Sequence, residues 1–385
     1  MELPRTAEVV IVGGGVMGTS TAYHLARAGC DDVLVLERER FFGTQATGRC
    51  AGGIRHQFGT EVNVELSKLS LPMLYRFEEE LGQPIDLNLC GYLFLLTERE
   101  DVEVFRGTLD MQRRLGVETE WLDPPEIAEL IPMMRLDGIW GGTFNPRDGL
   151  ADPSSVVQGY VAGARRLGAS LMTDVEVIDI SVLSGRVDGL VTDKGTVSTP
   201  VVVNAAGPWA GVVGAMAGLE IPVVPLRRQI VVTGPIPELP PGFPFVIDFA
   251  QSLYFHPEGD GILTGMSNPD EAPGFDQSVD REWELVHLAA AAERMPLLNQ
   301  AGLGSRWAGL YEVSPDAHPI LGRVLGVDGF FCINGFSGHG FMHGPVCGLL
   351  LAEEILDGKA HTMDVSCLYL DRFEGETGVG EYHVV

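Results

Sequence analysis

Between Val9 and Glu37 the chain spells a strand, a glycine turn, a helix and a second strand closed by an acid, and few folds accept that order. The apolar run Val9 to Val12 leads into Gly13-Gly14-Gly15-Val16-Met17-Gly18; Thr19 to Ala28 follows, and Val33 to Leu36 ends at Glu37. Gly13 permits the tight turn, Gly15 lets backbone N–H groups reach a pyrophosphate, and Gly18 lets the helix lie close to the strand. The phosphates then rest at the positive end of the helix that Val16 and Met17 open. Glu37 stands nineteen positions beyond Gly18, the offset of a carboxylate that accepts ribose hydroxyls, with Arg38 beside it. An adenine dinucleotide is the ligand this arrangement predicts.

At 385 residues the chain is long enough for one large or two intimately joined domains. Twenty-six basic against fifty-three acidic side chains leave a formal charge of −27, which repels nucleic-acid phosphates and anionic lipid. Neither is predicted as a partner. Glu2, Arg5 and Glu8 precede the first apolar run, and glycines break that run after four residues, a pattern that predicts no secretory leader, no spanning helix and a cytoplasmic protein. The six cysteines include no C-x-x-C pair, which predicts reduced, mostly buried thiols without a zinc site or disulfide framework.

Further along, apolar spacing predicts a helix over about 62–81, a strand over 90–97, a helix over 100–115 and a short helix opened by Pro124-Pro125. A strand over 139–144 precedes Asp152-Pro153-Ser154-Ser155, which caps a helix to about Leu167. Strands are predicted over 171–177, 185–192 and 196–203, the last a buried parallel strand whose end, Asn204-Ala205-Ala206-Gly207, faces the same dinucleotide as the first turn. Between Val223 and Met266 short β-type runs predict a largely antiparallel sheet lying over the cofactor. A helix over 281–295, a strand over 330–334 and a last helix ending near Gly358 complete the pattern.

The segment Asn334 to Pro345 repeats the logic of the first turn: a strand, glycines, then a helix with Pro345 at its first position. A second helix N-terminus there would bring positive dipole to another part of the cofactor. A flavin ring gathers negative charge at N1 and C2=O when reduced, so such a dipole favours its accepting hydride.

Taken in order, Val9 to Gly18, Gly48-Arg49-Cys50-Ala51-Gly52-Gly53-Ile54-Arg55, Asn204 to Trp209, Tyr311 to Asp316 and Gly335-Phe336-Ser337-Gly338-His339-Gly340-Phe341 resemble the D-amino-acid oxidase family of flavoproteins. The resembling branch contains the sarcosine oxidases, glycine oxidase and the dye-linked L-proline dehydrogenases. The resemblance implies an α/β fold in which a Rossmann-like FAD-binding domain (residues 1–82, 148–220 and 317–385) is interleaved with an α+β substrate domain (83–147 and 221–316) built on a mostly antiparallel sheet. It implies that Glu37 holds the ribose, that Gly48, Arg49, Gly52 and Gly53 run along the pyrophosphate and flavin, and that Val175 meets adenine through its backbone. Ala206, Gly207 and Trp209 join the cofactor site, and Gly338, His339, Gly340, Phe341 and Met342 lie at the pyrimidine end of the ring.

The implied reaction oxidises an amine beside a carboxylate by moving a hydride equivalent to flavin N5, after which water hydrolyses the imine. That chemistry needs a fixed C–H direction, excluded solvent and a cation for the carboxylate. Arg55 occupies the position of a substrate-binding Arg in the sarcosine oxidases; the other reading is a surface or pyrophosphate-contacting Arg. Tyr311 matches a tyrosine of the substrate cavity, with a core tyrosine as the alternative. Tyr254 falls on the roof sheet with its face left open by period-2 alternation. His56 and His339 are candidate proton-handling groups or hydrogen-bonded structural ones.

Three positions depart from the sarcosine oxidase pattern. Gly309 replaces the cysteine that binds flavin covalently, which implies non-covalent FAD unless His56 or another residue is used. Met342 replaces a carboxylate-binding lysine. No lysine occurs from Tyr254 to Gly265, where an oxygen-activating lysine would align near Leu263 or Thr264. A dehydrogenase passing electrons to an acceptor other than oxygen is therefore a rival to an oxidase. The substrate predicted is a secondary or N-methylated amino acid such as sarcosine, with L-proline, glycine and D-amino acids as neighbours. The remaining alternatives are a flavin-bearing subunit of a larger complex or homo-oligomer, a non-catalytic flavin-binding module, and an NAD-dependent dehydrogenase.

Overall fold

The strand Val9–Val12 lies inside a six-stranded sheet. It pairs in parallel with Val33–Leu36 on one side and Val201–Asn204 on the other; Ser170–Met172 closes one end, and Phe330–Asn334 then Ile320–Arg323 the other. Only the Ile320–Arg323 pairing is antiparallel. Strands covered on both faces need continuous apolar runs, and all four residues of the first strand are buried. Val9 and Ile11 face the helices Val16–Arg27, Pro153–Arg166 and Gly340–Asp357. Val10 and Val12 face a layer holding the helix Ala210–Met216 and a three-stranded sheet of Val177–Leu183, Arg186–Thr192 and Gly195–Ser198. The structure, a computed structural model, describes residues 2–240, 242–375 and 379–385.

A second sheet of eight strands runs, in spatial order, Leu303–Val313, Val224–Thr233, Gly261–Met266, Leu253–Glu258, Phe245–Asp248, Tyr92–Leu96, Gly141–Asn145 and Glu120–Leu122. Its one parallel pairing joins Phe245–Asp248 to Tyr92–Leu96. Alternation again sorts the side chains. Tyr92, Phe94, Phe245, Tyr254 and Ile230 share the inner face, while Leu93, Leu95, Val246 and Phe255 pack outward against the helices Pro124–Leu130 and Arg281–Arg294. The inner face rests on the Gly48–Gly53 loop: the Trp307 indole donates to Arg49 O at 2.9 Å, and a Cβ on Gly53 would meet Tyr92 Oη at 3.1 Å. The fold is α/β, a Rossmann-like parallel sheet roofed by a mostly antiparallel one.

Several elements differ from the sequence-based expectation. The helix expected over 62–81 is two, Glu61–Tyr75 and Phe77–Leu81, broken at Arg76. The run 196–203 is not one strand: Pro200, which has no N–H for a ladder, separates an antiparallel strand from the parallel strand Val201–Asn204. The run 171–177 stops at Met172, and Asp174 turns the chain with φ of 57°. Pro345 does not open the last helix; that helix starts at Gly340, and Pro345 lies inside it, its carbonyl accepting from Ser20 Oγ at 3.3 Å. The edge strand Leu303–Val313 was not anticipated. Among the described residues no helix is long and apolar enough to cross a membrane, and all six cysteines are free.

Candidate cofactor and substrate site

Two helix N-termini meet at one cavity. The helix Val16–Arg27 begins at Gly15 and the helix Gly340–Asp357 at His339; neither N-cap residue caps with its own side chain and neither first turn holds an acid, so both positive ends face the cavity. Small residues let the two helices touch: a Cβ on Gly344 would meet Val16 at 2.7 Å, and one on Gly348 would meet Ser20 Oγ at 2.2 Å. Asn334 ties the strand ends together, donating to Asn204 O at 2.8 Å while its Oδ1 accepts from Gly207 N–H at 3.1 Å.

Gly13, Gly15, Val16, Met17, Glu37, Arg38, Val175, Ala206, Gly207, Trp209, Gly338, Gly340 and Phe341 all line this cavity. Gly13 has φ of +114°, and a Cβ there would strike Ala205 O at 2.3 Å, so the turn tolerates only glycine. Gly18 sits behind it, 2.0 Å from Gly13 O by the same measure. The Glu37 carboxylate accepts from Gly14 N–H at 2.7 Å and Glu39 N–H at 2.8 Å, which fixes it at the cavity rim. Val175 N–H is used by Glu37 O, leaving its carbonyl for a ligand. Arg38 lies 3.9 Å over the Trp209 ring, whose plane stacks on Phe275. This glycine-lined groove, onto which two helix N-termini open, fits an FAD.

Other predicted residues stand behind the wall. Gly48 packs against Gly43 O and Gly52 against Ala151 O, while Gly53 faces the roof aromatics. Arg49 staples the loop to the roof, donating to Ala308 O at 2.7 Å. His339 and Met342 are not cavity-lining: Met342 is buried in the core with Ile54 and Phe58, and the His339 ring packs against Phe58 and His343 with both nitrogens unpartnered among the described residues. The helix turns them inward because Gly338, Gly340 and Phe341 take the outward positions. Burial and neighbouring cationic groups hold the His339 imidazole well below its usual pKa, so it is neutral.

The inner face of the roof sheet is aromatic. Tyr92 and Phe245 stack at 4.3 Å, with Tyr254 beside Phe245 at 5.6 Å. Tyr254 is therefore on the inner face, its hydroxyl over Gly265, where a Cβ would lie 2.2 Å away. Tyr311 lines the cavity, its ring against Gly338. Burial raises the pKa of both phenols, so each remains a neutral donor. Arg55 is buried, 3.8 Å from the Phe58 ring centre, with its guanidinium donating to the carbonyls of Gln57 and His383. His56 is fixed by Asp148, whose Oδ1 meets its ring Nδ1 at 2.6 Å and its N–H at 2.9 Å.

Sequence reasoning missed four contributors. The Thr47 hydroxyl accepts from Val16 N–H at 3.2 Å and so marks the mouth of the first helix. Cys50 lines the cavity as a thiol that burial pushes up to about 11. Glu312 lines it too, accepting from Gly335 N–H at 3.1 Å, its carboxyl pushed up to about 7 by burial. The segment 379–385 returns to Arg55, with Glu381 receiving Gly59 N–H, Thr60 and Asn63. Of these, Glu312 and Cys50 stood inside motifs already marked, Tyr311 to Asp316 and Gly48 to Arg55.

Known proteins agree with the geometry. Residues 8–354 match the model of the FAD dependent oxidoreductase family, DAO. The chain is 33% identical over 374 residues to human mitochondrial sarcosine dehydrogenase, covering 93% of this chain and 40% of that protein. It is 35% identical over 378 residues to rat mitochondrial dimethylglycine dehydrogenase, covering 92% and 43%. The chain thus spans about two fifths of the length of these curated relatives. The crystal structure of L-proline dehydrogenase from P. horikoshii superposes with a TM-score of 0.90 at 34% identity, covering 97% of this chain and 99% of that one. This chain belongs to the DAO family of FAD-dependent oxidoreductases.

Proposed function

We propose that the protein oxidises a secondary or N-methylated amino acid with non-covalently held FAD. The observation that carries this reading is that the two helix N-termini open on one cavity whose wall includes the neutral phenol of Tyr311, under an inner roof face bearing Tyr92, Phe245 and Tyr254. When bound, FAD accepts a hydride equivalent from the carbon beside the amine nitrogen. The chain's own part is to exclude water beneath Tyr92, Phe245 and Tyr254, to hold the amine with neutral donors that do not protonate it, and to offset the carboxylate charge. The nitrogen lone pair forms the C=N bond as hydride leaves, and water then splits the imine into a carbonyl compound and an amine. Relatives named for sarcosine, dimethylglycine and proline all act, by those names, on a secondary or tertiary amine.

Two observations support a cofactor held without a covalent bond. Gly309 offers no side chain to the ring, and the Cys50 thiol stays protonated and weakly nucleophilic. Electron transfer to an acceptor other than oxygen is favoured by the absence of lysine from Tyr254 to Gly265, since a cation beside reduced flavin stabilises the charge that forms on oxygen. The test is product analysis: the purified yellow protein, given sarcosine and an artificial dye, should release formaldehyde and glycine in step with dye reduction, and faster than with air alone. Dye reduction with L-proline but no aldehyde from any N-methylated amino acid would move the substrate to the cyclic class. Activity only when co-purified chains are added back would make this chain a flavin-bearing subunit.

A further inference from the structure

Arg228 lies on the roof strand Val224–Thr233 directly opposite Gly309. Opposed residues in an antiparallel pair project from the same face, and the flanking pair on that face, Ile230 and Trp307, belongs to the inner apolar layer with Tyr254. Arg228 is therefore an inward cation. Its guanidinium carbon is 5.2 Å from the centre of the Tyr311 ring, which itself lines the cofactor cavity. Gly309, its partner across the strand, sets no side chain beside it, and the Tyr254 hydroxyl lies over Gly265 on the next strand.

Its hydrogen bonding is incomplete. Nη1 donates to Arg227 O at 2.9 Å, whereas Nε is buried without a partner, and among the described residues no carboxylate lies within ion-pair distance. Acids are not scarce nearby. Arg227, on the opposite face of the same strand, takes Glu271 at 3.1 Å, Asp276 at 2.9 Å and Asp280 at 3.6 Å. An unpaired donor edge on a half-buried guanidinium carries a cost, which a planar anion offered to the Nε–Nη2 edge removes through two parallel hydrogen bonds. Arg55 is less available, because a carboxylate there has to displace the Gln57 or His383 carbonyl.

We propose that Arg228 is the group that receives the substrate carboxylate, with the Tyr254 and Tyr311 hydroxyls beside it, while Arg55 fixes the wall beneath. This rests on the amino-acid reading above and names the residue that selects an acid over a plain amine. The carboxylate is thereby held at the roof strand, so the carbon bearing the amine hangs below it toward the cofactor cavity.

The test uses the FAD-loaded protein and two variants, Arg228→Gln and Arg228→Lys, each first checked for full flavin content. Furan-2-carboxylate, which resembles proline but has no amine to oxidise, is titrated while the flavin absorbance is followed. The glutamine variant should bind it about 10- to 100-fold more weakly, the range a charge-assisted pair spans, with lysine recovering part of the loss. The methyl ester of sarcosine, lacking the anion, should react with wild type and variant alike. Dissociation constants equal within about twofold would overturn the assignment, as would a loss seen only in Arg55→Gln. If the carboxylate separates wild type from variant yet no amino acid bleaches the flavin, the site stands and the substrate reading fails. If amino acids bleach both proteins with equal affinity, the reading stands and the site fails.

Discussion

Arg55 and His383 lie 328 positions apart in the chain and are joined by a hydrogen bond from the guanidinium to the backbone carbonyl. The same histidine stacks face to face on Phe105 at 3.8 Å and 8°. The segment 379–385 is thereby held against Arg55, Phe94 and Phe105.

Removing the Arg55 guanidinium strands the Gln57 and His383 carbonyls in an apolar place. Arg55→Gln should cost about 1–3 kcal/mol in denaturant melts and speed hydrogen exchange across 379–385. Arg55→Lys should restore little, since one ammonium cannot span both carbonyls. Unchanged exchange in that segment would contradict the contact.

The first turn gives a graded prediction. Gly13→Ala and Gly18→Ala force Cβ atoms to 2.3 Å and 2.0 Å from backbone oxygens and should yield poorly folded protein without flavin. At Gly15 a Cβ would meet only the Thr47 hydroxyl, at 3.2 Å, but it would stand where the pyrophosphate approaches. Gly15→Ala should therefore fold and bind FAD about tenfold or more weakly, read by flavin fluorescence titration.

How far the sequence reveals this design depends on whether the cause is local. Gly13, Gly15, Gly18 and Glu37 are legible because each acts on its own turn or the next strand. The roof strand Leu303–Val313 is not, since Gly304, Ser305, Arg306 and Gly309 break the alternation and its order comes from pairing with Val224–Thr233. Thr196 to Val203 reads as one apolar run only if Pro200 is overlooked. His339 and Met342 sit in the right motif, but helix phase, invisible in the motif, turns them into the core. Arg55 was placed by resemblance; its clamp by the distant His383 carbonyl has no local signal at all.

Stability should depend on pH with two opposing contributions. Burial holds His343 near 3, and His383 and His256 near 4, whereas unfolded imidazoles titrate near 6.5. The unfolded chain binds more protons between those values, so stability present above pH 6.5 is lost as the pH falls toward 4. Glu312, raised to about 7, acts the other way: its contribution is full below about 4.5 and is lost as the pH rises through 7. Glu312→Gln removes only that second effect. Between pH 5 and 8 the apoprotein variant should gain about 1–3 kcal/mol on wild type, the carboxyl being partly open to the cavity, and a pH-independent difference would contradict it.

Acid precipitation should leave the supernatant yellow and the protein colourless, because neither Gly309 nor the protonated Cys50 provides an attachment to the ring. Colour retained in a washed pellet would instead point to attachment through another residue, and Cys50→Ser and His56→Gln would locate it.

In the proposed reaction one compartment brings an amino acid to an FAD held between two helix ends. Anaerobic titration of the purified flavoprotein with sarcosine, N,N-dimethylglycine and L-proline tests this most directly. At least one should bleach the flavin completely, with one equivalent of amine consumed per FAD. A fully loaded flavoprotein that stays yellow with all three would contradict it.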